Sequence, residues 1–315
     1  MSAQINIPDE LKSDIPPNKW GKVLAATPIV MTVIATLLAG LSSSEMTRAQ
    51  YDRSLAAQHQ SKAGDQWSYF QAKRLRAALQ RNTLDLLRST TAVRPLDPHT
   101  LAARLAGTPG AALLATPGGQ QACDTLSRGA LPASGPDTIS DARIAAALAA
   151  ADAGQSDADL ARLLKPIKEA DLAAAVQEAF ARVRAFDSLL KPINQAADAL
   201  EQELIRPAAA DATDPVARDF IYARLGYSAQ RYDRESRQNQ VIAQLYELQV
   251  RQSNLSAERH HARSQRFFYG MLAAQMGVII ATFSMAARKK NFLWALAAAA
   301  GSGAVAFAAY VYLFV

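Results

Sequence analysis

Three long apolar stretches set the strongest limit on what this chain can fold into. They cover residues 23–41, 267–287 and 292–315, and none of them contains Asp, Glu, Lys, Arg or His. A helix rises ~1.5 Å per residue, so ~20 residues cross the ~30 Å hydrocarbon core of a bilayer. We therefore predict three membrane spans, with the working part of the protein, residues 42–266, outside the lipid.

The composition of the chain argues against several classes of function. The formal net charge is +6, from 34 Lys and Arg against 28 Asp and Glu, and both signs are spread along the polar middle. Nucleic-acid binding needs clustered cations and usually stacking aromatic residues, so we do not expect it. The single cysteine, Cys123, excludes an intramolecular disulfide, and we expect a small buried or half-buried side chain there.

The segment before the first span distinguishes that span from a secretory signal peptide. Residues 1–22 form a long segment that contains Asp9, Glu10 and Asp14, and the apolar stretch that follows exceeds a usual signal core. The start of a lipoprotein cleavage box precedes Leu41, but Leu41 stands where the lipidated cysteine would be. We expect an uncleaved anchor.

Two long helices are predicted in the polar middle. The outgoing helix covers residues 42–94 and either continues the first span or starts afresh at Ser42, and the returning helix covers residues 215–266. Their similar lengths favour an antiparallel hairpin stalk that starts and ends at one membrane surface. The stripes expected to pair are Met46, Leu55, Trp67, Phe70, Leu75, Leu79, Leu84 and Leu87 with Ile221, Leu225, Tyr232, Val241, Ile242, Leu245, Leu248 and Leu255. Ala and Gln interrupt these stripes, so self-association would complete the burial.

Residues 95–214 differ in composition from the two long helices, because they are rich in Ala and contain frequent Pro and Gly residues. We predict a compact helical cap, with short helices near residues 99–106, 139–151 and 157–164 and a longer one near 168–205. Residues 108–136 are expected to be partly flexible. The predicted class is an all-α membrane protein with three transmembrane helices, a long antiparallel helical hairpin stalk and a helical cap.

Small residues recur four apart in the last two spans, for example at Gly277 and Ala281 and at Ala297 and Gly301. Such faces let membrane helices approach closely, so we expect these spans to form a hairpin joined by the basic turn 288–291, with the first span packed against them. Transport is weakly supported, because a proton or ion relay needs ionisable groups that these spans lack.

The most distinctive polar stretch lies on the outgoing helix, and we call it the aromatic patch. Its members are Asp65, Gln66, Trp67, Tyr69, Phe70, Gln71 and Lys73. One interpretation is a recognition surface that offers stacking and hydrogen bonds to a partner. The other is an aromatic layer packed on the returning helix, with Asp65, Tyr69 and Lys73 as a solvated ladder four residues apart.

The Asp-Gln-Trp-x-Tyr-x-Gln-Ala-Lys stretch, shortly after a span, resembles the bacterial domain-of-unknown-function 4337 family. The ending is similar too, with a His- and Arg-rich approach to a span, a basic turn, and an aromatic start to the last span. The likeness covers about residues 19–88 and 245–315, whereas the central block departs from the usual pattern. The family has no established activity, so the resemblance implies an architecture and no catalytic residues.

A second candidate surface lies just before the second span, and we call it the basic collar. It consists of Arg259, His260, His261, Arg263 and Arg266. The collar either holds anionic lipid headgroups or contains side chains that extend to the interface in the ordinary way. The two histidines diverge by ~100° on a helix, so they are a poor metal site.

No catalytic triad order, nucleotide loop or metal spacing occurs, so we expect no enzyme activity and no cofactor. The predicted function is a membrane-anchored scaffold or assembly module that presents the stalk and cap to a protein partner, with membrane lipids and further copies of the chain as other partners. The alternative is a membrane sensor or channel-like oligomer that responds to lipid or ligand. The basic turn favours a cytoplasmic N-terminus in the bacterial inner membrane, with the large domain extracytoplasmic.

Overall fold

The computed structural model describes residues 19–135, 138–205, 214–286 and 290–314, and these form helices and their connections, without a strand. The helices are α1 (Lys19–Thr90), α2 (Pro98–Leu105), α3 (Pro109–Ala115), α4 (Pro117–Arg128), α5 (Ala142–Asp152), α6 (Asp157–Leu164), α7 (Glu169–Ile205), α8 (Pro215–Ala286) and α9 (Lys290–Phe314). The predicted all-α class is confirmed over these ranges. Most of the N-terminal segment and of the basic turn lies outside the described residues.

Three of the helices are long and apolar enough to cross a membrane. The candidate spans lie within Ala26–Thr90, Pro215–Ser284 and Phe292–Leu313. Large apolar side chains in these segments, such as Ile29 and Phe283, are two-thirds exposed at 67% each. Lipid contact would explain that exposure, since a water-soluble surface rarely presents a continuous apolar band. These features suggest a membrane protein.

The first span continues into the outgoing helix without a new start. Residue Ser42 does not cap a helix, because its hydroxyl instead donates to the backbone carbonyl of Ser264 at 2.9 Å. The hydroxyl of Thr47 likewise donates back to Ser43 O in the preceding turn at 3.0 Å. In the same way α8 runs unbroken through the predicted returning helix and second span.

The chain divides into two compact units. The first comprises Met1–Ala56 and Ser253–Val315, and the second is Ala57–Gln252. In the first unit, a core of Ala35, Leu38, Phe267, Ala274, Ala304 and Val311 joins α1, α8 and α9. The thioether of Met31 lies against Gly277 and Gly301, where a Cβ would come within 2.8 and 2.1 Å of Met31 Cε. Glycine at these positions therefore leaves room for Met31.

The core of the second unit joins α2, α4, α7 and α8. Its buried members include Leu101, Leu126, Phe186, Leu200 and Phe220. Pro192 lies inside α7. These helices supply a continuous apolar interior, which is what the Ala-rich composition alone did not specify.

The expectation of flexibility at residues 108–136 is wrong over α3 and α4. Both helices start at a Thr-Pro pair. The Thr108 hydroxyl accepts from Gly110 N at 3.2 Å, and the Thr116 hydroxyl accepts from Gly119 N at 3.0 Å. Because proline at the first helical position needs no N–H partner and threonine caps the next free N–H, two short helices form where Pro and Gly indicated a loop.

Candidate interaction surface along the two long helices

A seam of small side chains runs along each long helix. The buried positions fall on one seven-residue repeat, at Ala49, Ala56, Ala63 and Ala77 on α1 and at Ala229, Ser236, Ala243, Ala257 and Ser264 on α8. Each helix misses one step of the repeat, at the half-buried Phe70 and Val250. A seven-residue period keeps one face toward a partner helix in a left-handed supercoil, and small residues allow close backbone approach. The interpretation of the alanines as interruptions of a leucine stripe is wrong, because several of them are the buried positions. Their constant period was the signal in the sequence.

A column of polar side chains borders the seam on α1. The column consists of Glu45, Asp52, His59, Gln66, Lys73 and Gln80, again seven residues apart and all half-buried. Polar groups that lose water need partners, because an unmade hydrogen bond costs about 1–3 kcal/mol. Their partners on α8 therefore fix which residues of the two helices lie opposite each other.

The best-paired member of the column in the second unit is Lys73. Its ammonium forms an ion pair with Glu235 and lies 5.4 Å from the centre of the Tyr232 ring. The guanidinium of Arg231 approaches the other oxygen of Glu235 at 3.4 Å. The predicted solvated ladder of Asp65, Tyr69 and Lys73 is thus corrected, since Lys73 turns toward α8 and not to solvent.

His59 occupies the next paired position toward the start of α1. Its ring stacks on Tyr246 at 6.1 Å between centroids, and the Lys62 ammonium lies 5.8 Å from the same tyrosine ring. Burial is the main cause that lowers the pKa of His59, and the nearby Lys62 charge lowers it further. Both causes favour a neutral imidazole, which suits a stacking role.

The aromatic patch is divided between an inner and an outer side. On the inner side, Trp67 Nε1 donates to Glu247 Oε1 at 2.7 Å, and its ring meets Phe70 edge-on at 5.3 Å. Gln66 is half-buried beside them, and its Oε1 atom has no hydrogen-bond partner among the described residues. The outer members, Asp65, Tyr69 and Gln71, are exposed. Packing on α8 therefore accounts for Trp67, Phe70 and Lys73.

Two of the leucines predicted to face the returning helix, Leu75 and Leu79, lie instead on the outside of α1, together with Leu86, which was not in the predicted stripe. Leu84 and Leu87 of that stripe are half-buried. Leu75 is 62% exposed, Leu79 is 54% exposed and Leu86 is 63% exposed. Seven- and four-residue steps relate these three positions, so they share one face of the helix. Sequence reasoning missed this because alanine, not leucine, occupies the inner face. The outer face is an apolar strip beyond the predicted span 23–41.

The stripe predicted on α8 meets α1 at one member, since Tyr232 lies beneath the Lys73 ammonium. Of its members, Ile242, Leu245 and Leu248 are buried, and the others are half-buried. Polar contacts next to them reach the cap: Gln244 donates to Asp152, and Gln252 donates to the Ile167 carbonyl at 2.6 Å. In the second unit α8 thus buries one face on α1 and another on the cap helices.

The basic collar is also divided. Nδ1 of His260 lies 2.5 Å from Glu45 Oε2, and its Nε2 lies 4.0 Å from Asp52 Oδ2. His261 turns away and contacts Gln265 on its own helix at 3.1 Å. Arg259 is exposed, whereas Arg263 and Arg266 are half-buried. His260 therefore pairs with two members of the polar column, whereas His261 does not.

The described part of the chain offers little for metal or covalent chemistry. Among those residues, no three His, Cys, Asp or Glu side chains converge as a metal site. Cys123 is buried in the cap, and burial is the main cause that raises the pKa of its thiol. A buried thiol with a raised pKa is a poor nucleophile.

Comparison with known proteins agrees with the likeness noted in the sequence. Residues 20–106 match the family described as a domain of unknown function (DUF4337). The likeness over residues 245–315 lies outside this match. No curated protein and no solved structure matches the chain. The resemblance is thus confirmed over residues 20–106, which match the model of the DUF4337 family.

Proposed function

We propose that this protein is a non-enzymatic scaffold or assembly module, anchored in the bacterial inner membrane, that presents a helical stalk and cap to protein partners. Three candidate spans support the anchor. The large domain faces the extracytoplasmic side, in keeping with the basic turn between the last two spans.

The stalk is an antiparallel hairpin of α1 and α8. In the second unit, residue numbers rise along α1 as the numbers of their contact partners on α8 fall. Trp67 contacts Glu247, and further along α1 Arg81 contacts Asp233. The first unit has the same order, from Ser42 with Ser264 to Glu45 with His260. A polar residue in an otherwise close-packed helix pair selects register and orientation at some cost in stability. The polar column would have that role here.

The observation that carries the proposal is the exposed strip of Leu75, Leu79 and Leu86. It lies beyond the predicted span 23–41, on the polar part of α1, so lipid would not cover it. Each leucine buried against another helix contributes about 1.5–3 kcal/mol, so three on one face favour association. A second copy of the chain supplies an identical strip, and two such helices would pack face to face.

The test is the mass of the full-length protein in detergent, measured by size-exclusion chromatography with light scattering. The triple variant Leu75→Gln, Leu79→Gln and Leu86→Gln is expected to shift the protein from an oligomer to a monomer with unchanged helix content. A control with Asp65→Ala and Gln71→Ala changes exposed residues of the same helix and should leave the oligomer intact. A monomeric wild type, or a triple variant with unchanged mass, contradicts self-association through this strip.

A variant of the aromatic patch separates packing from recognition. Trp67→Ala removes the hydrogen bond to Glu247 and the contact with Phe70, so it should lower the melting temperature of the stalk. Tyr69→Ala, two residues away and exposed, is the matched control and should leave the melting temperature unchanged. A Trp67→Ala protein that melts normally but loses partner capture would indicate a binding surface instead.

A second candidate function is a membrane sensor or channel-like oligomer. A cavity of about 650 Å³ between α1 and α9 favours it, lined largely by small and apolar residues with Thr27 and Ser302 as polar members. A cavity of this kind within the candidate spans suits a lipid chain. Ion flux through liposomes that contain the protein would support this function, and tight liposomes would argue for the scaffold.

A further inference from the structure

Two adjoining cavities lie in the second unit, on either side of one pair of side chains. The first, of about 240 Å³, lies between α5, α7 and α8, and the second, of about 330 Å³, lies between α7, α8 and the segment after α4. Both are lined by Arg182 of α7 and Gln238 of α8. The described residues that line these cavities include members of α8 but none of α1, so the cavities are separate from the α1–α8 contact and from the exposed leucine strip.

Positive charge converges on these cavities. The lining residues include the guanidinium groups of Arg182, Arg234 and Arg237 against the single carboxylate of Asp152. Arg182 pairs with Glu178, and Arg237 donates to Asp233 at 2.7 Å. A guanidinium carries five N–H donors, so one carboxylate contact leaves further donors for a second acceptor. The arrangement therefore suits an added anion.

The wall that the two cavities share contains a polar atom that lacks a hydrogen-bond partner among the described residues. Gln238 Oε1 is buried and has no hydrogen-bond partner in the part of the chain that the structure describes. A buried acceptor without a donor is costly, which makes it a place where a ligand O–H or N–H gains affinity. Apolar side chains, among them Phe186, Leu189 and Val241, line the remaining walls.

We propose that this cleft binds a small hydroxycarboxylate. Its carboxylates accept hydrogen bonds from Arg182 and Arg237, and its hydroxyl donates to Gln238 Oε1. A molecule with at least two carboxylates can meet Arg182, which lines both cavities, and Arg237, which lines the first. Bidentate contacts between arginine and carboxylate supply the affinity, and the otherwise unpaired amide oxygen supplies the preference for a hydroxyl. This ligand site is independent of the scaffold function proposed above.

The test uses two probes that differ by one hydroxyl, L-malate and succinate. Isothermal titration of the full chain in detergent at fixed ionic strength should show saturable L-malate binding. Succinate should bind at least about tenfold more weakly, the factor that corresponds to one hydrogen bond of about 1.4 kcal/mol. In Gln238→Leu the two probes should bind with equal affinity, because the acceptor is gone.

Two arginine variants locate the site. Arg182→Gln should weaken both probes by about tenfold or more, since a charge-assisted hydrogen bond is lost. Arg184→Gln removes an exposed charge from the same helix and should change neither affinity. The proposal is overturned if wild type binds neither probe, if it binds both equally, or if Gln238→Leu and Arg182→Gln bind as wild type does. Circular dichroism of each variant confirms that it is folded before titration.

Discussion

At the scale of single residues, two neighbouring glycines in the cap differ in how much space surrounds them. A Cβ at Gly119 would lie 2.0 Å from the backbone oxygen of Leu113, whereas one at Gly118 would meet nothing closer than 3.7 Å. A backbone atom cannot turn aside as the end of a flexible side chain can. The close approach of α3 and α4 therefore depends on Gly119, and Gly118 is free to change.

We predict that Gly119→Ala lowers the free energy of unfolding of the cap by about 2–3 kcal/mol through overpacking. Gly118→Ala is the matched control and should change it by less than about 1 kcal/mol, since alanine favours a helix. Chemical denaturation followed by circular dichroism measures both. Equal effects of the two variants would show that α3 and α4 do not pack as described.

The buried side chain of Tyr227 makes the stability of the second unit depend on pH. This side chain is 3% exposed, and its hydroxyl donates to Asn194 Oδ1 at 2.9 Å. Burial is the main cause that raises the pKa of Tyr227 to about 12 from its usual 10.0. Because the folded-state pKa lies above the unfolded one, this contribution to stability is complete below pH 10 and is lost as the pH rises toward 12.

We predict that the wild type loses up to about 1.4 kcal/mol of stability per pH unit from this group above pH 10. Tyr227→Phe has no proton to lose, so it should be less stable at pH 8 by about 1 kcal/mol but decline less steeply. The difference between the two denaturation curves, measured from pH 8 to 12, isolates this group from lysines and other tyrosines. Parallel declines would contradict the prediction.

At the scale of helices, the small-residue seam determines how α1 is packed in the second unit. Ala63 and Ala77 are fully buried there. Leu75, which lies between them in the sequence, and Leu79, which follows them, are exposed. The helix thus buries its small side chains and presents its large ones. Close backbone approach strengthens dispersion contacts along the seam, which compensates for the small apolar area of each alanine.

We predict that Ala63→Leu destabilises the second unit by about 1–3 kcal/mol, because the larger side chain forces the helices apart. Ala78→Leu places the same side chain at an exposed position of α1 outside the leucine strip and should be nearly neutral. Thermal unfolding of the two variants in one detergent makes the comparison. Greater damage from Ala78→Leu would place the seam on the other face.

At the scale of the whole molecule, the membrane topology determines on which side the cap lies. The flanking charges differ little between the two sides, and the short basic turn is the more dependable signal because long domains cross despite their charge. The buried thiol of Cys123 is unsuited to a labelling test. Gln155, exposed between α5 and α6, offers a better position.

We predict that Gln155→Cys is labelled by a membrane-impermeant maleimide in intact spheroplasts, as an extracytoplasmic cap requires. The wild type serves as the control and should react only after denaturation, because Cys123 is buried and its pKa is raised. Labelling of Gln155→Cys only after permeabilisation would reverse the proposed orientation.

Much of the helical content could be predicted from local signals. Apolar length predicted the candidate spans, the Asp214-Pro215 pair predicted the start of α8, and Ser156 predicted the cap of α6. The two sides of the aromatic patch were harder to assign. Trp67 and Tyr69 are two residues apart and similar in type, and only the position of Glu247, distant in the sequence, separates their roles.

The sequence by itself determined that this chain is helical, that three of its segments suit a bilayer, and that it carries the DUF4337 pattern over residues 20–106. These properties depend on composition and spacing along one helix. Only the tertiary structure decided that Ala63 and Ala77 face inward on α1 while Leu75, Leu79 and Leu86 face outward, and that two cavities share a wall. Arg182 and Gln238 form that wall. The physical reason is that burial depends on how closely distant helices approach, which no local pattern specifies.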